Sequence, residues 1–268
     1  MPELPDVEGF KNTLDRHALG RKVEAADVLD ERIVEGIEPS RLIDALRGCS
    51  LTRSERYGKI LLVETDGDGG AAGWLVMRFG MTGELVFEEC RDAALPRHTR
   101  LVLDPGEAGR LAYRSQRMLG HVTLVADRDR FIERLELGPD GLSPALDRQR
   151  LRAALERRRG PVKSLLMDQS LVAGIGTVYA DEILFQARLH PATRGTELTD
   201  RQIGRLARTL KRVLRTAAER GGDVDRLPKR YLLPQRRPGG RCPACDGSIE
   251  TAKIGGRTAC FCPACQRR

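Results

Sequence analysis

The chain has 268 residues, 40% hydrophobic and 31% charged, a composition that excludes a disordered protein and suits one or two globular domains. No apolar run reaches the ~18 residues of a membrane span, and MPELPDVEGF lacks the basic and apolar regions of a secretory signal, so the expected location is inside the cell, where disulfides are rare. The net charge of +8 hides a split: residues 1–150 carry 22 Lys/Arg against 27 Asp/Glu, and residues 151–268 carry 24 against 11, which suggests a polyanion partner for the second half, with a merely solvated, arginine-rich surface as the alternative.

In chain order, residues 8–19 read as an amphipathic helix through Phe10, Leu14 and Leu19. From about 21 to 126, short β-prone runs (KILLVET, WLVMRFG, GELVFEE, TRLVLDP, HVTLVA) alternate with turn clusters such as DGDGG and DPGEAG. They predict six to eight strands without βαβ alternation, arranged as a sandwich. Residues 137–144 (LGPDGLSP) read as a linker. The pattern is helical from 145 to about 220 and loop-like and basic over 221–241. The predicted class is α+β and multidomain. Residues 1–136 form a helix plus β-sandwich, 145–237 a helical domain, and 238–268 a small cysteine module.

Five of the seven cysteines fall in the last 27 residues. Cys242-Pro-Ala-Cys245 and Cys262-Pro-Ala-Cys265 are two C-x2-C knuckles, the spacing of a tetrahedral zinc site with four thiolate ligands. Four protein ligands leave no open position for water, so the Zn2+ would be structural, one per chain, and would supply folding energy to a module too small for its own core. The segment between the knuckles predicts a two-stranded hairpin turning at Gly255-Gly256, with Arg257 near its tip. Either DNA or another protein could be the partner of such a hairpin. Cys260 is a competing ligand, and Cys49 and Cys90 are expected to be ordinary buried thiols.

Between two helical stretches lies QSLVAGIGTVYADE, residues 169–182. Gly174 and Gly176 permit a tight turn and close backbone approach. Thr177 is placed to cap the next helix, whose N-terminus would suit a phosphate. A plain helical hairpin explains the same pattern.

Taken together and in order, several segments resemble the formamidopyrimidine-DNA glycosylase / endonuclease VIII family of base-excision repair enzymes. They are MPELPDVE, Lys59 in RYGKILL, FGMTG at 79–83, QRMLG at 116–120, MDQSLVAGIGTVYADEILF at 167–185 and the terminal cysteine hairpin. The resemblance implies an N-terminal helix plus β-sandwich, then a helix–two-turn–helix module with a zinc hairpin, and damaged DNA held in a cleft. It implies removal of Met1, so that Pro2 becomes the amine nucleophile, with Glu3 assisting ring opening and proton transfer and Lys59 approaching the sugar-phosphate. Base release would be followed by β- and δ-elimination. Met81, Arg117 and Leu119 fall where the family fills the hole left by an everted base. Lys163, the turn Gly174, Gly176 and Thr177, and Arg257 fall where it grips phosphates. The implied partner is double-stranded DNA with a damaged base or abasic site, and the implied protein is a monomer in the bacterial cytoplasm, associated with the nucleoid.

Three residues depart from the family pattern. Asp6 replaces a glutamate, Thr177 an asparagine and Leu119 a phenylalanine. Formamidopyrimidine-type members of the family carry a longer segment that closes over 8-oxoguanine. Here about twenty residues separate Gly222 from Cys242, so the resemblance implies a shortened or absent loop and weak excision of that base, while PELP at the N-terminus is closer to the formamidopyrimidine type and leaves the substrate base open. Two other readings stay open: an abasic-site lyase with weak glycosylase activity, and a non-catalytic protein that binds damaged DNA.

Overall fold

The computed structural model describes residues 1–66, 73–106 and 109–267. Contacts divide the chain into two compact units: Met1–Pro2 with Asp6–Glu136, and Glu3–Pro5 with Leu137–Arg268.

In the first unit, helix α1 (Leu4–His17) begins four residues before the expected position 8. Pro5 does not prevent this, because the N–H it lacks would have no helical partner in the first turn. Eight strands follow: β1 (Ala25–Val28), β2 (Ser50–Tyr57), β3 (Ile60–Asp66), β4 (Gly73–Arg78), β5 (Gly83–Glu88), β6 (Thr99–Asp104), β7 (Arg110–Ser115) and β8 (His121–Val125). They form two four-stranded antiparallel sheets, ordered β2-β3-β4-β8 and β1-β6-β7-β5. One core joins Leu61, Leu75 and Met77 of the first sheet, Leu101, Leu111 and Tyr113 of the second, and Val7 and Leu14 of α1. This is the sandwich that the short β-prone runs and turn clusters implied. The all-β reading of 21–126 overlooked helix α2 (Pro39–Leu46), whose proline at the N-terminus and buried Leu42 and Leu46 follow helical spacing. Helix α3 (Arg128–Arg134) is capped by the Asp127 side chain.

The second unit holds α4 (Arg148–Arg157), α5 (Val162–Met167), α6 (Thr177–Gln186) and α7 (Asp200–Ala218). Asp147 caps α4 and Thr199 opens α7 with a capping box to Gln202. Their apolar faces share a core that includes Leu151, Leu155, Leu166, Ile183, Leu206, Leu210 and Leu214, and also Leu4. Residues 137–144 are no free linker. Gly138 N–H donates to the Gln169 carbonyl at 2.9 Å, and Gly141 N–H to that of Ala173 at 2.9 Å. A Cβ at Gly138 would lie 2.6 Å from the Leu171 backbone, so glycine is what allows this approach. The 221–241 stretch also packs, burying Tyr231 and Leu232.

Strands β9 (Glu250–Ile254) and β10 (Arg257–Phe261) form the C-terminal hairpin. Gly255 and Gly256, at φ +56° and +75°, make its two-residue turn in the left-handed region that few other residues tolerate. Phe185, Leu232, Ile249, Cys242, Cys260 and Cys262 make a small core beneath it. No described helix is long and apolar enough to cross a membrane.

Candidate functional site

The connection from α5 to α6 is organised by Gln169. Its amide nitrogen donates to the Met167 and Ile175 carbonyls, and its amide oxygen accepts from Gly174 N–H. Gly174 takes φ +107°, and its carbonyl receives Leu4 N–H at 2.9 Å. That bond sets Glu3 against the start of α6. The Glu3 carboxylate accepts from Gly176 N–H at 2.6 Å, Val178 N–H at 2.8 Å and Tyr179 N–H at 3.1 Å. Three donors and the positive end of the helix dipole thus converge on one carboxylate. Glu3 is 1% exposed.

Thr177 was expected as the N-cap. The cap is instead Gly176, in extended backbone, and Thr177 is the first helical residue. Glu3, 173 residues away in sequence, supplies the cap's side-chain acceptor. The Thr177 hydroxyl donates to the Thr258 carbonyl of β10 at 3.2 Å. Gly176 is required by closeness rather than by φ, because a Cβ there would lie 2.4 Å from Glu3 Oε1.

Lys163 was expected to hold a phosphate, and the structure corrects this. Its side chain is 0% exposed, and Nζ donates to Asp181 Oδ1 at 2.6 Å and to the Thr258 carbonyl at 2.6 Å. Asp181 Oδ2 accepts from Arg236 Nε at 2.9 Å and from Cys260 N–H at 3.1 Å. Burial pushes the Lys163 ammonium down and the Asp181 carboxyl up in pKa, and their mutual attraction opposes both shifts. Lys163 therefore fastens the hairpin to α5 and α6. An ammonium with no exposure cannot reach a phosphate without breaking that network.

The four knuckle cysteines place their Sγ atoms within 4.8 Å of one another, with Cys242 to Cys265 at 3.9 Å and Cys245 to Cys262 at 3.5 Å. A tetrahedral ion with ~2.3 Å metal–sulfur bonds sets such edges at about 3.8 Å. The four residues thus fit a metal ion. Cys260 is not in the cluster, because its backbone is tied to Asp181 on the other side. Cys49 is buried as expected, whereas Cys90 is exposed. Arg257 opens β10 and is exposed.

The first unit holds the other expected residues. Lys59 is half-buried in the two-residue turn between β2 and β3, after Gly58 at φ +57°. Met81 lies in the loop from β4 to β5, and Arg117 and Leu119 in the loop from β7 to β8. The two loops pack back to back: Arg117 N–H donates to Thr82 Oγ1 at 3.0 Å, and a Cβ on Gly80 would lie 2.3 Å from the Leu119 carbonyl. Met81 at 39% and Leu119 at 48% are among the few exposed large apolar side chains. Their exposure is at odds with ordinary core packing and suits insertion into a partner. Pro2 is half-buried and directly precedes the anchored Glu3.

Asp181, Arg236 and Gln169 were missed from sequence. One signal was available: Asp181 and Glu182 interrupt an otherwise apolar helix, and buried acids need partners. Glu182 meets that need with Gln186 and with the Leu233 N–H at 2.9 Å.

The sequence matches the formamidopyrimidine-DNA glycosylase N-terminal domain over residues 1–122 and the formamidopyrimidine-DNA glycosylase H2TH domain over 137–228. A formamidopyrimidine-DNA glycosylase of Pelotomaculum thermopropionicum is 32% identical, with 100% of this chain and 99% of that one covered. One of Rippkaea orientalis is 35% identical, with 99% and 100% covered. Among solved structures, Lactococcus lactis formamido-pyrimidine DNA glycosylase bound non-covalently to DNA containing an AP site superposes with a TM-score of 0.87 at 26% identity, covering 99% of this chain and 100% of that one. A mutant of the same enzyme in complex with Fapy-dG-containing DNA gives a TM-score of 0.86 at 28% identity, covering 100% of both chains.

Proposed function

This chain belongs to the formamidopyrimidine-DNA glycosylase family, and we propose that its Pro2 amine is the nucleophile of a base-excision glycosylase and abasic-site lyase. The protein is a DNA glycosylase of base excision repair. The observation that carries the assignment of roles is the Glu3 carboxylate on three backbone N–H groups. A buried carboxylate held this firmly fixes the residue next to Pro2, and positioning is a large part of catalysis.

Once Met1 is removed, Pro2 carries a secondary amine. An α-amino group has a pKa of ~8, so a useful fraction is neutral near pH 7. The nitrogen attacks C1′ of an everted nucleotide, the damaged base departs with the glycosidic electron pair, and the amine gives up its proton. The C1′–O4′ bond then breaks, O4′ takes a proton, and the nitrogen lone pair closes an iminium ion. Glu3 accepts and returns protons at the opened deoxyribose. Loss of a C2′ proton expels the 3′ phosphate, and a second elimination expels the 5′ phosphate. Lys59 approaches the sugar-phosphate. Met81 and Leu119 enter the gap in the stack, and Arg117 hydrogen-bonds the orphaned base. The exposed Arg257 contacts phosphates, whereas the N–H groups of Gly174 and Gly176 and the Thr177 hydroxyl, also expected to grip phosphates, already donate to Gln169, Glu3 and Thr258. Zn2+ on Cys242, Cys245, Cys262 and Cys265 supplies the folding energy of the hairpin that carries Arg257. The protein acts as a monomer on double-stranded DNA with a damaged base or abasic site.

Borohydride trapping on a duplex with one abasic site tests this reading, using protein whose mass confirms that Met1 is gone. A covalent adduct that disappears when Pro2 is blocked is expected. Intact duplex binding without an adduct would overturn the proposed chemistry.

A further inference from the structure

Helix α7 carries a second charged feature that the lesion chemistry leaves unused. Arg201, Arg205, Arg208, Arg212 and Arg215 recur at intervals of four, three, four and three residues. At 100° per residue all five fall within about 80° of arc, and at ~1.5 Å per residue the row runs about 21 Å along the axis. The opposite face is apolar and buried, through Ile203, Leu206, Leu210 and Leu214. Arg201, Arg208, Arg212 and Arg215 are exposed.

Among the described residues, none of these five arginines has an ion pair. Asp200, at the start of the helix, is taken by Arg152 at 2.8 Å and Arg148 at 3.9 Å. Glu219, at the end, faces Arg220 at 3.8 Å. The Arg205 Nε is buried without a hydrogen-bond partner. Beside the row runs a groove of about 520 Å³, whose lining includes Asp147, Arg148, Arg208, Lys211, Arg212 and Arg215. Gly204 is part of its floor. A Cβ there would meet Arg148 Nε and Arg208 NH1, both at 3.5 Å, so two guanidinium groups converge over one small residue. No lining residue belongs to the 174–177 turn, to α6 or to the cysteine hairpin.

We infer that the arginine row of α7 binds the phosphate backbone of a second, undamaged segment of duplex DNA, separate from the one that holds the lesion. A row of exposed cations without ion pairs creates a positive field that attracts a polyanion, and planar guanidinium forks match phosphate oxygens. A row of about 21 Å spans some six base-pair steps at 3.4 Å. A protein partner fits less well. Interface cores are poor in charge and anchored by large apolar side chains, and none of the exposed large apolar residues (Met1, Leu29, Met81, Leu119, Val224) lies on α7. A contact made only of phosphates carries no sequence information and is weak, the property needed to keep an enzyme near DNA while it transfers between segments.

The test uses the full protein saturated with a short duplex holding a tetrahydrofuran abasic-site analogue. A separate fluorescent, undamaged duplex of 30 base pairs is then titrated, and anisotropy is read from 50 to 200 mM salt. Wild type should capture the second duplex. The triple variant Arg208→Gln/Arg212→Gln/Arg215→Gln should capture it at least tenfold more weakly, with the slope of log K against log salt smaller in magnitude by about 2–3. Its affinity for the abasic-site duplex should be unchanged, which also reports intact folding. Equal capture by variant and wild type would overturn the inference. So would capture of a polyglutamate peptide with no capture of duplex, which would give the row to an acidic protein. The readout needs no chemistry, so failure of the Pro2 mechanism would leave the result interpretable.

Discussion

Replacing Asp181 by Ala removes the acceptor of a wholly buried cation. Lys163 Nζ is 2.6 Å from Asp181 Oδ1 with both side chains 0% exposed, so the ammonium cannot turn to water after the change. Breaking one side of such a pair costs about 3–5 kcal/mol. Arg236 also loses a partner at 2.8 Å, but its side chain is 19% exposed and recovers solvent cheaply. At roughly 3–4 °C per kcal/mol for a unit of this size, the melting temperature should fall by about 10–20 °C. Circular dichroism at 222 nm is the suitable probe, because α4 to α7 all lie in the second unit and dominate that signal. The double variant Lys163→Met/Asp181→Leu removes both charges. It should recover at least half of the loss, leaving about 1–2 kcal/mol for the Cys260 N–H that no longer has an acceptor. A single-variant cost below about 1 kcal/mol would refute the reasoning. So would a double variant as unstable as the single, because the penalty would then not come from an orphaned charge.

Glu182 yields a pH prediction. Burial raises its carboxyl to about 7, above its ordinary value of 4.5. The folded state then binds the proton more tightly than the unfolded state, so stability should fall as pH rises from about 4.5 to 7, by about 3 kcal/mol at most. In Glu182→Gln, urea unfolding across that range should lose this slope, and an unchanged slope would show the burial argument to be wrong. Gly176→Ala should displace the Glu3 carboxylate, because the new Cβ would sit 2.4 Å from Oε1. Trapping yield should drop more than tenfold while far-ultraviolet dichroism is kept, and full activity would mean that Glu3 tolerates the shift. Stripping metal with a chelator, or Cys262→Ser, should melt the hairpin and weaken duplex binding, as judged by amide exchange over 250–261. Persistent protection without metal would contradict a structural ion. Excision of 8-oxoguanine opposite cytosine should be slower than abasic-site cleavage by the same preparation, and equal rates would refute the short-loop argument.

Much of this protein follows from local rules that a single sequence displays. Two C-x2-C knuckles place four thiolates at the ends of two tight turns, and Gly255-Gly256 closes the hairpin between them, because these geometries involve neighbouring residues only. The short apolar runs of KILLVET and WLVMRFG between turn clusters are likewise local, as is the 3.6-residue period of α7. Helix α2 was equally local and was passed over only because its eight residues stand in a β-rich stretch. Met81, Arg117 and Leu119 were placed through family resemblance, and their exposure on adjoining loops could be seen only in the folded chain.

The fates of Lys163, Thr177 and Glu3 were decided by tertiary structure. The Lys163 stretch reads as a basic residue before a glycine turn, and nothing nearby shows that Asp181 and the carbonyl of Thr258 converge on it from 18 and 95 residues away. Thr177 has the chemistry of a cap, but a carboxylate from the other end of the chain takes that task, leaving its hydroxyl to the hairpin. Local preference names which groups can satisfy a helix end or a charge. Which group does so depends on what the fold brings within 3 Å, where desolvation makes an unmet polar group too costly to leave.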